Sequence, residues 1–105
     1  MEIEEKQVDD VTVLFLKGRM LLGEGAEILR ENFERLVEAG HTKVALDLGD
    51  VPYLDSASLG EIVHCYKTLS GMEGKFKLLN LPKRIRELLA TARLLQVIGD
   101  EDRPS

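Results

Sequence analysis

Between residues 55 and 58 the chain sets an acid and two hydroxyls within one turn, Asp55-Ser56-Ala57-Ser58. A hydroxyl beside a carboxylate could act as a nucleophile, help to bind an ion, or accept a phosphoryl group. Nucleophilic attack needs a base, and the candidate is His64. It follows Ser56 in what reads as one helix, about 12 Å along the axis, whereas a nucleophile and its base must lie within about 3.2 Å. Neither serine sits in a Gly-x-Ser-x-Gly elbow. His64 and Cys65 are adjacent and face different ways on a helix, with no further His or Cys nearby, so no metal site is expected. His41 follows Gly40 in a loop and reads as polar surface. Gly18, Gly23 and Gly25 precede no Gly-Lys-Ser/Thr and do not make a phosphate-binding loop. The sequence thus indicates no catalytic residue, no cofactor and no enzyme.

The remaining chemistry belongs to a helix start. Backbone N–H groups there lack partners inside the helix, and side-chain oxygens satisfy them. Asp55 and Ser56 serve equally well as the cap. Ser58 with Glu61 also makes a capping-box pattern, so the first helical residue stays open. The same terminus carries partial positive charge and accommodates phosphate. A serine placed there can be a cap, an exposed phosphoryl acceptor, or both.

The flanking elements must hold this junction. Ile3 to Val8 reads as an edge strand, Asp9-Asp10 as a turn, and Val11 to Leu16 as an interior strand. Met20 to Gly25 reads as a short strand or an extended crossover, in which Leu21 and Leu22 either cover the end of the core or add to a contact surface. Ala26, Leu29, Phe33, Leu36 and Val37 mark one face of a helix ending at Gly40. Lys43 to Leu48 is a strand broken by Gly49-Asp50. After the junction, Leu59, Ile62, Val63, Tyr66 and Leu69 mark a second amphipathic helix ending at Ser70-Gly71. Lys75 to Leu81 is another strand. Pro82 suits the first turn of a third helix, whose buried face is Ile85, Leu88, Leu89 and Ala92. Leu94 to Ile98 is a final strand or a cover for the core, and residues 99–105 read as a frayed polar tail.

The order β, β, α, β, α, β, α describes a single α/β domain. Its sheet is mixed and mostly parallel, of four to five strands, with helices packed on it and the first two strands antiparallel. The net charge of −5 argues against a nucleic-acid partner and against an anionic membrane surface. The single cysteine excludes an internal disulfide and fits a reducing compartment. Met1 to Lys6 are acidic with no apolar run, so no secretory leader is expected there, and no stretch approaches a membrane span. A cytoplasmic location is the simplest expectation.

With Asp55-Ser56-Ala57-Ser58-Leu59-Gly60 between strand and helix, this order resembles the STAS domain. It is most similar to the bacterial anti-sigma factor antagonists, whose hallmark is an Asp-Ser-Ser/Ala-Gly-Leu-Gly run at this helix start. Val44 to Leu48 followed by Val51 to Leu54, then Phe76 to Leu81 and the helix after Pro82, also match the family pattern. The resemblance implies that Ser56 is phosphorylated by a partner anti-sigma factor with serine kinase activity. The unphosphorylated domain would bind that partner and free the sigma factor, the phosphate would block binding, and a serine phosphatase would reset the switch. It further implies a partner surface of Asp55, Ser56, Ala57, Ser58, Leu59 and Glu61, with Leu21 and Leu22 nearby. The chain departs from the pattern twice. Ser58 replaces the usual glycine, adding a side chain at the contact surface or a second phosphate acceptor. Leu21 stands about where an aspartate is common. Pairing of the domain with itself stays open. So do two other roles known for STAS domains: nucleotide binding, and membership of a larger stress-signalling or lipid-transport assembly.

Overall fold

The computed structural model describes residues 1–21 and 24–94. Leu22, expected on the contact surface, lies outside them, as do all but Leu94 of the Leu94 to Ile98 piece, expected as a final strand or a cover for the core, and the expected tail. Strands β1 (Glu2–Val8) and β2 (Val11–Lys17) form an antiparallel hairpin. They are followed by α1 (Glu24–Glu38), β3 (Lys43–Asp50), α2 (Ser56–Gly71), β4 (Lys75–Leu79) and α3 (Lys83–Thr91). The sheet order is β1-β2-β3-β4, with β2–β3 and β3–β4 parallel. The mixed, mostly parallel sheet is as expected, with four strands among the described residues. Boundaries differ from expectation at β3, at α3 and at β4, which ends at Leu79 rather than Leu81. β3 continues through Gly49 and Asp50, because Lys17 still pairs with Asp50 beyond a register shift. Pro82 is the N-cap of α3 rather than a residue of its first turn.

Side chains alternate along a strand, and the register turns this alternation into a layer. Leu14 pairs with Leu46 and Leu46 with Leu78; Thr12, Val44 and Phe76 form the adjoining row. The row residues apart from Thr12 share one buried cluster with Leu29, Phe33 and Leu36 of α1, with Ile62, Cys65 and Leu69 of α2, and with Ile85 and Leu89 of α3. The helices therefore pack on that face of the sheet. Alternation puts Val13 and Ala45 on the other face, beside Glu4, Lys6 and Lys77. The Lys6 ammonium lies 5.5 Å from the centre of the Phe15 ring there.

Gly40 ends α1 with a φ of 93°. Its N–H donates to Val37 O and that of His41 to Leu36 O, each at 3.0 Å, which satisfies carbonyls left open at the helix end. Thr12 is fully buried and its hydroxyl donates to Gln7 Oε1 at 2.9 Å. His41 is not simple surface: its Nδ1 lies 3.1 Å from the same hydroxyl.

Candidate functional site

The crossover after β2 runs alongside the segment that leads into α2. Met20 N–H donates to Tyr53 O at 2.9 Å, Asp55 N–H donates to Met20 O at 3.2 Å, and Met20 and Leu54 form an isolated parallel bridge. Met20 and Leu54 are both buried, which anchors this pairing in the core. α2 therefore begins at a point fixed by two strand ends.

The alternatives for the cap resolve here. Asp55 has extended backbone, φ −96° and ψ 179°, and its Oδ1 accepts the N–H of Ser58 at 2.9 Å. Asp55 O accepts the first helical bond, from Leu59 N–H at 2.9 Å. Asp55 is the N-cap and Ser56 the first helical residue, so the box proposed between Ser58 and Glu61 is not the cap. Ser56 and Ala57 are exposed and Asp55 is half-buried. Leu59 is half-buried too, and Leu21 is 38% exposed.

Ser58 departs from expectation. It has no exposed surface, and its hydroxyl donates to Met20 O at 2.8 Å. It neither adds a side chain to a contact surface nor offers a second acceptor in this conformation. The cause is the roll of α2: its inward stripe is Ser58, Ile62, Cys65 and Leu69, while Leu59, Val63 and Tyr66 are only half-buried. Glu61 is turned toward α1. Its side chain is 12% exposed and one carboxylate oxygen lies 4.0 Å from Arg30 Nη1. Expected on the partner surface, it instead lines the seam between the two helices.

The start of α2 opens onto a groove of about 420 Å³. Tyr53, Leu54, Ser56 and Leu59 form one side; Arg84, Ile85 and Leu88 of α3 form the other. Reading the sequence alone missed α3 here, because it assigned Leu88 to the core. Leu88 is 38% exposed while Ile85 and Leu89 are buried. Adjacent Leu88 and Leu89 point about 100° apart on a helix, and Leu89, spaced four from Ile85, takes the core.

Other candidates fall elsewhere. His64 is exposed and lines a shallow cleft with Glu34, Val37 and Glu38, away from Ser56. Cys65 is buried as expected of a small hydrophobe. Burial pushes its thiol far above the ordinary cysteine value, and the Glu61 carboxylate adds to the effect. Among the described residues no group of three or more His, Cys, Asp or Glu side chains could hold a metal ion. No described helix is long and apolar enough to cross a membrane.

A family model described as the STAS domain matches residues 2–103. The chain is similar to the anti-sigma-B factor antagonist of Bacillus subtilis, 36% identical over 73 residues, spanning 70% of this chain and 66% of that one. A crystal structure of a "putative anti-sigma factor antagonist" from Thermotoga maritima superposes with a TM-score of 0.90 at 29% identity, covering 97% of this chain and 87% of the other. The Bacillus cell fate determinant SpoIIAA in its phosphorylated form superposes with a TM-score of 0.77 at 18% identity, covering 97% and 93%, a likeness of fold alone.

Proposed function

The chain belongs to the STAS domain family, and we propose that it is an anti-sigma factor antagonist, a non-catalytic module switched by phosphorylation of Ser56. In its unphosphorylated form it binds an anti-sigma factor that is also a serine kinase, and so releases a sigma factor. The observation that carries this reading is the position of Ser56. Its hydroxyl stands exposed at the first residue of α2, directly after the capping Asp55. The names of the relatives support the antagonist role, and the phosphorylated form of SpoIIAA supports a phosphoryl switch on this fold.

The chemistry asked of the domain is small. The Ser56 oxygen attacks the terminal phosphorus of ATP held by the kinase. An O–P bond forms at Ser56, the bond to the ADP oxygen breaks, and the hydroxyl proton passes to a base on the kinase. The product gains about 1.5–2 negative charges. The α2 N-terminus favours that charge by about 0.3–1 kcal/mol, and Asp55 opposes it. Glu61 contributes little opposition, being turned toward Arg30. The domain need not refold; the change lies in what a docking protein meets. A serine phosphatase returns the surface to its binding form.

The test is incubation of the protein with the anti-sigma kinases of its host and ATP, followed by mass spectrometry of the peptides. A single phosphate on Ser56 is expected, with none on Ser56→Ala. In titrations Ser56→Ala keeps its affinity for the kinase and Ser56→Asp loses it. Equal affinities for the two variants, or a phosphate placed elsewhere, would refute the reading.

A further inference from the structure

The start of α3 breaks a local rule. A helix N-terminus favours acids and disfavours cations, yet α3 opens Lys83-Arg84-Ile85-Arg86, with no acid in its first turn and no side-chain cap from Pro82. Lys83 and Arg84 are exposed. Neither takes part in an ion pair among the described residues. This occurs in a chain whose net charge is −5, and the one acid of α3, Glu87, makes no ion pair with either among the described residues. Sequences depart from local preference chiefly where function requires it.

The place is telling. Arg84 lies at the lip of the groove that also holds Ser56. Among the described residues five large hydrophobic side chains are exposed. Two of them, Tyr53 at 44% and Leu88 at 38%, line this groove. A third, Leu21 at 38%, follows Met20, which pairs with the Leu54 segment. An apolar trough edged by a guanidinium that has no ion pair among the described residues suits a chain segment that carries an apolar anchor next to a carboxylate. Buried aromatic and arginine contacts are also the usual energetic centres of protein interfaces.

We propose that the groove between the start of α2 and α3 receives a segment of the anti-sigma factor that seats an apolar side chain against Tyr53, Leu59 and Leu88 and an acidic side chain on Arg84, and that phosphorylated Ser56 displaces it by claiming Arg84. The inference rests on the antagonist reading above and names the partner's chemistry at that site. A phosphate dianion binds a guanidinium through paired, charge-assisted hydrogen bonds. Phosphorylation therefore removes the cation that the partner's acid needs and places a repelling charge beside that acid. Arg84 is the residue through which the one event opposes the other.

The experiment is isothermal titration of the host's anti-sigma kinase into the full chain, with and without phosphate on Ser56, for wild type, Arg84→Lys, Arg84→Gln, Arg84→Glu and Leu88→Ser. All four replacements fall on exposed side chains, and unchanged circular dichroism melts establish folding. Expected are losses of about tenfold or more for Arg84→Glu and Leu88→Ser in the unphosphorylated form, with a smaller loss for Arg84→Lys. Arg84→Gln should also narrow the affinity ratio between unphosphorylated and phosphorylated protein, since the phosphate no longer has a cation to take. That ratio is a readout that a merely structural residue leaves alone.

Wild-type binding with unchanged affinity in Arg84→Glu and Leu88→Ser overturns the groove assignment and leaves the antagonist reading standing. If wild type binds no anti-sigma kinase, the antagonist reading fails and this inference with it. A groove filled by a second copy would show in ultracentrifugation as a dimer that Leu88→Ser dissolves. A groove filled by the chain's own C-terminal residues would show as tighter kinase binding by Val97→Ser/Ile98→Ser. Either result overturns the proposed occupant.

Discussion

The hydroxyl of Ser58 donates a 2.8 Å hydrogen bond to the carbonyl of Met20, 38 residues earlier in the chain, and both residues are fully buried. The same carbonyl accepts the N–H of Asp55 at 3.2 Å. One oxygen at the end of a crossover thus holds both the cap of α2 and a residue of its first turn. Ser56 lies between these two fixed points, and its outward direction follows from them.

Replacing Ser58 by Ala should therefore cost about 0.5–1.5 kcal/mol in urea unfolding, the usual net worth of an internal hydrogen bond. Ser58→Asp should cost clearly more, because it forces a carboxylate into a site with no exposed surface. In the phosphorylation assay Ser58→Ala should still accept one phosphate, on Ser56.

The cap makes a separate prediction. Asp55→Ala removes the acceptor of the Ser58 N–H and should lower stability by about 0.5–2 kcal/mol, whereas Asp55→Asn, an equally good cap, should stay within a few tenths of wild type. Thermal and denaturant melts of the pair check this. Comparable losses in both would mean that the charge, not the cap, is what matters at this position.

Ser56→Asp should change folding stability by no more than about 0.5 kcal/mol, because the side chain is exposed and the helix start tolerates an acid. Amide NMR shifts should move only near the start of α2 and in the facing part of α3. Lost partner binding with unchanged stability would place the effect of the charge at the surface.

Gly25 tests the crossover. A Cβ built there would lie 2.9 Å from the backbone Cα of Met20, and Gly25 N–H donates to Leu21 O at 3.0 Å. Gly25→Ala should destabilise by about 1–3 kcal/mol, the range for overpacked sites. It should also shift the amide signals of Asp55, whose N–H donates to the Met20 carbonyl, and of Ser58, whose hydroxyl does. Confinement of the changes to α1 would count against the coupling.

Cys65 carries a pH dependence. Its thiol value is raised by burial above an ordinary value near 9.0. Above about pH 9 the unfolded chain releases this proton and the folded one retains it, so the folded form binds more protons and stability falls as pH rises. The contribution is fully present below pH 9. Cys65→Ala should show a shallower decline in stability between about pH 9 and 10. In the folded wild type the thiol should react with disulfide reagents only at the rate of opening, since it has no exposed surface.

Much of the fold was legible in the residues. The strand of Val11 to Leu16 and the strand that begins at Lys43 declare themselves by composition, and Gly40 marks the end of α1 by local backbone chemistry. α3 was half-read: Ile85 and Leu89 were placed correctly, while Leu88 was assigned to the core that Leu89 occupies. Tyr53 and Arg84 escaped notice because neither belongs to a pattern within its own element. They meet across the groove only after α2 and α3 have docked on the sheet.

By itself the sequence determined that an amphipathic helix follows a hydrophobic strand, and that an acid and two serines stand at its start. These facts depend on neighbours a few residues apart, where backbone capping and hydrophobic period act. It could not decide which serine faces water. Ser56 and Ser58 are about 200° apart on a helix, so the roll of α2 about its axis sends one out and the other in. That roll was set by Ile62, Cys65 and Leu69 meeting the sheet, and by the Met20 carbonyl waiting for the Ser58 hydroxyl. Both are contacts between segments far apart in the chain, and only the assembled tertiary structure brings them together.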